Sequence, residues 1–334
     1  MLFRSRDVPG ERGRLSSCIW NLGFSRKAVL GMEEQHMYDI YVPLVENTDI
    51  KLPFDQAYDL VIEGLAPLGE DYQNLLRKGR EDGWIDVCEN EGKRSGAYSS
   101  GVYDTHPYVL LNYQETTNDI FTVAHEMGHA LHSYKSNETQ PYAKADYTIF
   151  LAEIASTVNE VLLLKHLYKN SEDKNLKKYL LNYYMDMIRA TLFRQTQFAE
   201  FEQIAHAKAE AGEPLTKEVL NKVYYQLNKD YYGEGIVHDE EIAYEWARIP
   251  HFYTSFYVYK YATGIISAIS IAKRILTEGE TAVKDYFTFL SSGGCTDPVS
   301  ILKKAGVDLT TKAPFEAAMQ EFKDTLEEFK GLQD

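Results

Sequence analysis

Two neighbouring segments narrow the fold more than any other feature of this sequence. The stretch FTVAHEMGHALHSY, Phe121 to Tyr134, places His125 and His129 four residues apart, with Glu126 directly after the first histidine. Its apolar residues recur with a helical period, which predicts a helix over about Asn118 to Tyr134. On a helix, residues four apart project from one face, so both imidazoles point the same way. Glu126 then sits roughly 100° around the axis. The next periodic segment, Tyr147 to Tyr168, carries Glu153 as the only charged residue in the run Ile149–Ala155. A lone carboxylate in such apolar company costs several kcal/mol unless it is paired or bound to a metal.

These residue types suit hydrolysis at a zinc ion. Two neutral imidazole nitrogens supply half of a tetrahedral shell, Glu153 would supply a third ligand, and a catalytic site keeps the fourth position open. A glutamate placed like Glu126 reaches a water at such a site without being a ligand, and can take its proton. Gly128 leaves room for close approach to the helix. Each residue also has a plainer reading. The histidines could lie on an ordinary helix, and Glu153 could pair with a lysine or arginine elsewhere. His132, one turn beyond His129, reads as a packing histidine rather than a ligand. Glu160 lies seven residues after Glu153, about two turns along the same face. It reads equally as an acceptor for a ligand histidine or as a simple polar helix position.

Composition removes several classes of function. The 334 residues carry 35 Lys and Arg against 50 Asp and Glu, a formal net charge of −15. An acidic chain is a poor ligand for nucleic acid, which needs a basic surface. No apolar run reaches the roughly 18 residues of a membrane span. The three cysteines, Cys18, Cys88 and Cys295, are odd in number and widely spaced. They form neither a disulfide framework nor a thiolate metal motif, and a cytoplasmic location fits them best.

The N-terminus departs from this acidic balance, with Arg4, Arg6, Arg12, Arg14 and Arg26. It lacks the apolar region of a secretory signal, and Asp7 and Glu11 weigh against an organelle presequence. Residues 1–27 are therefore expected to be a leader foreign to the domain, and 28–334 to form the domain itself. Within it, Met37 to Val45 reads as extended, and Pro53 to Gly69 and Glu70 to Gly83 read as helices. GWIDVCE and HPYVLLNY read as short strands, with KRSGAYSSGVYDT between them as a loop or an exposed strand edge. Helical periodicity then runs over Lys174 to Ala211, Thr216 to Asp230, Ser255 to Thr277 and Pro314 to Lys330. The class is mainly α with one small β-sheet.

In combination, HEMGHALHSY, TQPYAKADYTIFLAEIAST and EWARIPHFYTSFYVYKYATG resemble the oligoendopeptidase F group of thimet-oligopeptidase-like zinc metallopeptidases, from about Val29 to the C-terminus. The resemblance implies a zincin-like helical catalytic domain. It implies one Zn²⁺ held by His125, His129 and Glu153, with the 23 residues between His129 and Glu153 close to the family's spacing. It implies Glu126 as general base, with His251 and Tyr259 as donors to the oxyanion. It implies Gly96, Ala97 and Tyr98 as a substrate-binding strand, with Tyr253 and Tyr257 as further substrate contacts. The implied activity is endopeptidase cleavage of short oligopeptides. An exopeptidase would need a grip on a free terminus, for which the sequence offers no motif. Members of the group are about twice this length, and the chain resembles their C-terminal catalytic part. Apolar surface left by a missing half would favour self-association. The alternative expectation is a truncated, inactive remnant that still binds zinc or peptide.

Overall fold

The structure, a computed structural model, describes residues 22–23, 26–45, 48 and 50–332. Most of the expected leader, 1–27, therefore lies outside the described residues. The chain divides into two compact units, one drawn from Met1–Asn47, Leu181–Thr263 and Met319–Asp334, the other from Thr48–Leu180 and Gly264–Ala318. In chain order the elements are α1 (Phe54–Gly64), α2 (Glu70–Glu81), β1 (Ile85–Asp86), β2 (Tyr98–Ser100), β3 (Tyr108–Leu110), α3 (Thr117–Thr139), α4 (Tyr142–Ala145) and α5 (Ile149–Asn170). There follow α6 (Lys174–Ile188), α7 (Arg194–Glu210), α8 (Lys217–Tyr232), α9 (Tyr259–Glu278), α10 (Glu280–Leu290), α11 (Pro298–Lys304) and α12 (Ala313–Gly331). The protein is mainly α with one small sheet, as the periodicity indicated. No helix among the described residues is long and apolar enough to cross a membrane.

The second unit is organised around α3 and α5. Helix α3 starts where Thr116 and Asp119 close a capping box: the Thr116 hydroxyl accepts from the Asp119 N–H at 3.2 Å, and the Asp119 carboxylate accepts from the Thr116 N–H at 3.0 Å. Helix α5 buries Leu151, Ile154, Ala155, Val158, Leu162 and Leu163 and is apolar nearly all round, as an interior helix must be. The two helices meet at Gly128. A Cβ there would lie 2.6 Å from Ser156 Cα and 2.7 Å from the Ala155 carbonyl, so only glycine permits this approach. The contact is tied by the wholly buried Asn159 of α5. Its amide donates to the Ala124 carbonyl of α3 at 2.9 Å and its oxygen accepts from Tyr72 of α2 at 3.0 Å.

The sheet has order β1-β3-β2, with β1 parallel and β2 antiparallel to β3. The register pairs Tyr98 with Leu110 and Ser100 with Tyr108, leaving β2 at an edge. Just past β2, a Cβ at Gly101 would lie 2.6 Å from Ser133 Cβ, which marks the close approach of this edge to α3. His132, the residue before Ser133, is buried against aromatic rings. It is 1% exposed and its ring stacks on Tyr147 at 3.7 Å and against Phe289 at 5.1 Å. It is a packing residue, and burial, reinforced by nearby His129, pushes its pKa down to about 3.

Some expectations fail locally. Met37–Tyr41 is a 3₁₀ turn rather than extended, because the Asp39 carboxylate folds back to the His36 N–H at 2.7 Å. The expected helix Lys174 to Ala211 is interrupted by a π-turn at Arg189–Phe193. Helices α10 and α11 have no counterpart in the sequence reading. The break SSGGCTDP lies between them and ends at Asp297, whose carboxylate caps α11 through the Ser300 N–H at 2.9 Å.

Two measurements check this packing. Gly128→Ala is expected to destabilise the protein by about 1–3 kcal/mol, because the new methyl meets backbone that cannot move aside, read as a fall in the urea midpoint. For His132, the folded pKa lies below the unfolded value of 6.5, so the unfolded chain takes up the proton first. The stabilising contribution is complete above about pH 6.5 and is lost as pH falls toward 3. His132→Phe keeps the ring stack without the proton site. Its unfolding free energy should therefore fall less steeply than that of the wild type over this window in parallel denaturant titrations.

Candidate active site

The approach of α3 and α5 at Gly128 places Glu153, two residues before Ala155 and three before Ser156, opposite the paired histidines. The His125 and His129 Nε2 atoms lie 3.2 Å apart, and Glu153 Oε2 is 3.4 Å from the first and 3.5 Å from the second. Three donor atoms at about 2.0–2.1 Å from a common tetrahedral centre would be separated by about 3.3–3.4 Å. The observed triangle fits that requirement, and the three residues form the one such group of potential metal ligands among the described residues. Ser156 steadies the carboxylate, its hydroxyl donating to Glu153 Oε2 at 3.3 Å.

The residues around the triangle set its electronics. His125 Nδ1 makes a short contact with Glu160 Oε1 on α5. An N–H on Nδ1 leaves the Nε2 lone pair facing Glu153 and His129, the tautomer a metal ligand needs. Burial works against charge on His125, but Glu153 and Glu160 outweigh it and raise its pKa to about 10. Burial would also raise the Glu153 pKa, but hydrogen bonds to the two histidines reverse this and hold the carboxyl well below its usual range. The chain thus gathers two imidazole nitrogens and a carboxylate oxygen in an acidic setting, a donor set that, once the imidazoles are deprotonated, suits a divalent cation with borderline-soft preferences.

Glu126 behaves differently. It is 6% exposed, and its Oε2 has no hydrogen-bond partner. Burial raises its pKa, opposed by the two histidines. A buried carboxylate with an unpartnered oxygen beside a group of potential metal ligands is chemically able to take a proton.

The other expected residues fall into two places. In the second unit, Gly96 and Ala97 precede edge strand β2, and Tyr98, 51% exposed, begins it. Gly96 has φ +89°, open to glycine at no steric cost. With Glu89, Lys93, Asn118 and Thr122, Gly96 and Ala97 line a groove of about 390 Å³. Asn118 and Thr122 are spaced one turn apart on α3, and Glu126 is the next residue in that row.

In the first unit, His251 lies in a 3₁₀ turn, Pro250–Tyr253, and Tyr253 is 90% exposed. The His251 ring stacks on Tyr257 at 5.7 Å, and its Nε2 is 3.3 Å from the hydroxyl of Tyr261. Tyr257 and Tyr261 meet edge-on at 5.6 Å. Tyr259 opens α9 two residues before Tyr261, so the two side chains leave that helix about 200° apart. Tyr261 belongs to the same aromatic segment of the sequence, which by itself assigns it no individual role. Its four-residue spacing from Tyr257 was the available signal.

Glu160→Gln keeps the shape of the side chain but weakens its hold on the His125 Nδ1–H. Zinc affinity is expected to fall about 10–100-fold, measured by competition with a chromophoric chelator.

Residues 21–321 match peptidase family M3. Over 307 residues the chain is 50% identical to oligopeptidase PepF of Bacillus subtilis (strain 168), covering 92% of this chain and 46% of that protein. It is 46% identical over 307 residues to an oligoendopeptidase F homologue of Lactococcus lactis subsp. lactis (strain IL1403), covering 92% and 51%. The crystal structure of oligoendopeptidase-F from Enterococcus faecium superposes with a TM-score of 0.74 at 36% identity, over 97% of this chain and 51% of that one. The chain spans about half the length of the curated relatives it matches. The match over most of its residues, together with the helical fold and small sheet, makes this chain a member of peptidase family M3.

Proposed function

We propose that this chain is a zinc-dependent endopeptidase that hydrolyses short oligopeptides, with the activity assigned to residues 28–334. The observation that carries the reading is the donor triangle of His125, His129 and Glu153, with the unpartnered carboxylate of Glu126 beside it. Bound there, zinc would lower the pKa of a water and polarise the scissile carbonyl. Glu126 accepts the proton of the attacking water and delivers it to the leaving amine as the C–N bond breaks. Its raised proton affinity suits both halves of that transfer.

The remaining residues bind and orient. The edge position of β2 supports a role for Gly96, Ala97 and Tyr98 in pairing with an extended peptide through main-chain hydrogen bonds, a mode tolerant of sequence. His251 and Tyr259 are assigned as donors to the negative charge that develops on the carbonyl oxygen, where a preorganised donor contributes most. Tyr253 and Tyr257 are assigned to substrate contact, supported by the exposure of Tyr253 and the stacking of Tyr257 on His251. The family names of the relatives, oligopeptidase and oligoendopeptidase, support short peptides as the substrate class. Free thiols at Cys88 and Cys295 support a reducing, cytoplasmic location.

An internally quenched peptide of about eight residues with both ends blocked tests the reading. Cleavage that stops with chelator and returns with Zn²⁺ is expected. A chain that binds one zinc but leaves the peptide intact would instead support a binding role. Glu126→Gln should retain stoichiometric zinc and lose nearly all turnover. Undiminished cleavage by that variant would remove Glu126 from the mechanism.

A further inference from the structure

We propose that Glu202 is a positioning residue for the His251–Tyr257 pair, acting by locking Phe256 in a left-handed backbone conformation. The inference rests on the functional reading above, in which those two residues meet substrate. Phe256 has φ +55°. For a bulky residue this conformation costs about 1–3 kcal/mol and persists only where surrounding contacts hold it. Asp104 and Glu115 are the other non-glycine residues with positive φ among the described residues, and Phe256 is the one aromatic.

The contacts that hold it come from one helix. Glu202, on α7, is 4% exposed, and its Oε1 accepts the Phe256 N–H at 2.6 Å. A bond this short to a buried carboxylate is of the strong, charge-assisted kind. His206, one turn along α7, packs its ring against the Phe256 ring at 4.5 Å. Helix α7 thus grips both the backbone and the side chain of the residue that carries the strain.

The neighbouring buried carboxylates have other work. Glu200 accepts from the Tyr231 hydroxyl at 3.1 Å. Glu245 accepts from the Tyr224 hydroxyl at 2.5 Å and from Arg194 at 2.7 Å. Those bonds join side chain to side chain between packed segments. Glu202 instead fixes a loop backbone, at the turn between the 3₁₀ turn holding His251 and the first residues of α9.

The direction of the chain leaving Phe256 decides where Tyr257 points. With Phe256 at positive φ, Tyr257 stacks on His251 and meets Tyr261, whose hydroxyl reaches His251 Nε2. A return of Phe256 to the ordinary negative-φ region would turn the chain and separate Tyr257 from His251.

The full chain, loaded with zinc, tests this with Glu202→Ala and Glu202→Gln. Three readouts are taken: hydrogen exchange at the Phe256 amide, the ring-current shift of the ¹³C-labelled His251 imidazole, and kcat and KM for the quenched peptide. Glu202→Ala is expected to accelerate exchange at Phe256, move the His251 signal toward its unstacked position, and lower kcat at least about tenfold, since small misplacements of reacting groups carry losses of that order. Zinc content should stay close to wild type, and KM should rise as Tyr257 leaves its place against the substrate. Glu202→Gln keeps an acceptor and should restore all three. Glu202→Leu fills the same volume without an acceptor and carries the alanine expectation if Glu202→Ala does not fold. Unchanged Phe256 exchange and His251 shift, or a lowered melting temperature with kcat unchanged, would overturn the proposal. If the wild type itself does not cleave the peptide, the functional reading fails, while exchange and the His251 shift still decide whether Glu202 sets this pair.

Discussion

The candidate active site depends on one close approach, between Gly128 of α3 and the backbone of Ala155 and Ser156 of α5. The two distances from Glu153 to the histidines follow from it, while the spacing of the histidines is set by α3 alone. With the helix backbones this near, a carboxylate two to three residues before the contact on α5 meets imidazoles placed to either side of it on α3. Any Cβ at 128 would meet the backbone of Ala155 and Ser156 and press the helices apart. The buried Asn159 reinforces the same contact, because its two polar ends are satisfied only when α2, α3 and α5 are together.

The electrostatics are the consequence of that packing. Glu153 and Glu160 both come from α5, and both face His125 from opposite ring nitrogens. Together they raise the proton affinity of the ring against the effect of its burial. Glu126 is the carboxylate left over: carried by α3 beside the histidines, buried with them, yet with one oxygen unpartnered. Desolvation holds its proton affinity up, while the two histidines drive that of Glu153 down. Two glutamates in one site thus have proton affinities driven in opposite directions by their surroundings, the separation that the proposed ligand and base roles require.

Much of this was legible in the sequence because the signals were local. The histidine pair at helical spacing, the lone Glu153 in an apolar run, and the glycine between the histidines each state a constraint that only helix packing can satisfy. His132, read as a packing residue, is buried against Tyr147 and Phe289. What the sequence left hidden depends on contacts distant along the chain or on unusual backbone. The 3₁₀ turn at Met37–Tyr41 arises from a side chain folding back on its own backbone. The π-turn in the middle of the 174–210 segment leaves no mark in hydrophobic periodicity. The place of Tyr261 beside His251 shows only in the contact between them, and the role suggested for Glu202 depends on a backbone torsion at Phe256 that no residue type announces.

The central claim is that two packed helices build a metal site from His125, His129 and Glu153. X-ray absorption at the zinc edge, on the chain loaded with one equivalent of Zn²⁺, tests it most directly. The account predicts stoichiometric binding and a first shell of nitrogen and oxygen donors only, at about 2.0–2.2 Å, including two imidazoles. A sulfur donor at about 2.3 Å, a shell without imidazole, or failure to hold one equivalent would contradict it.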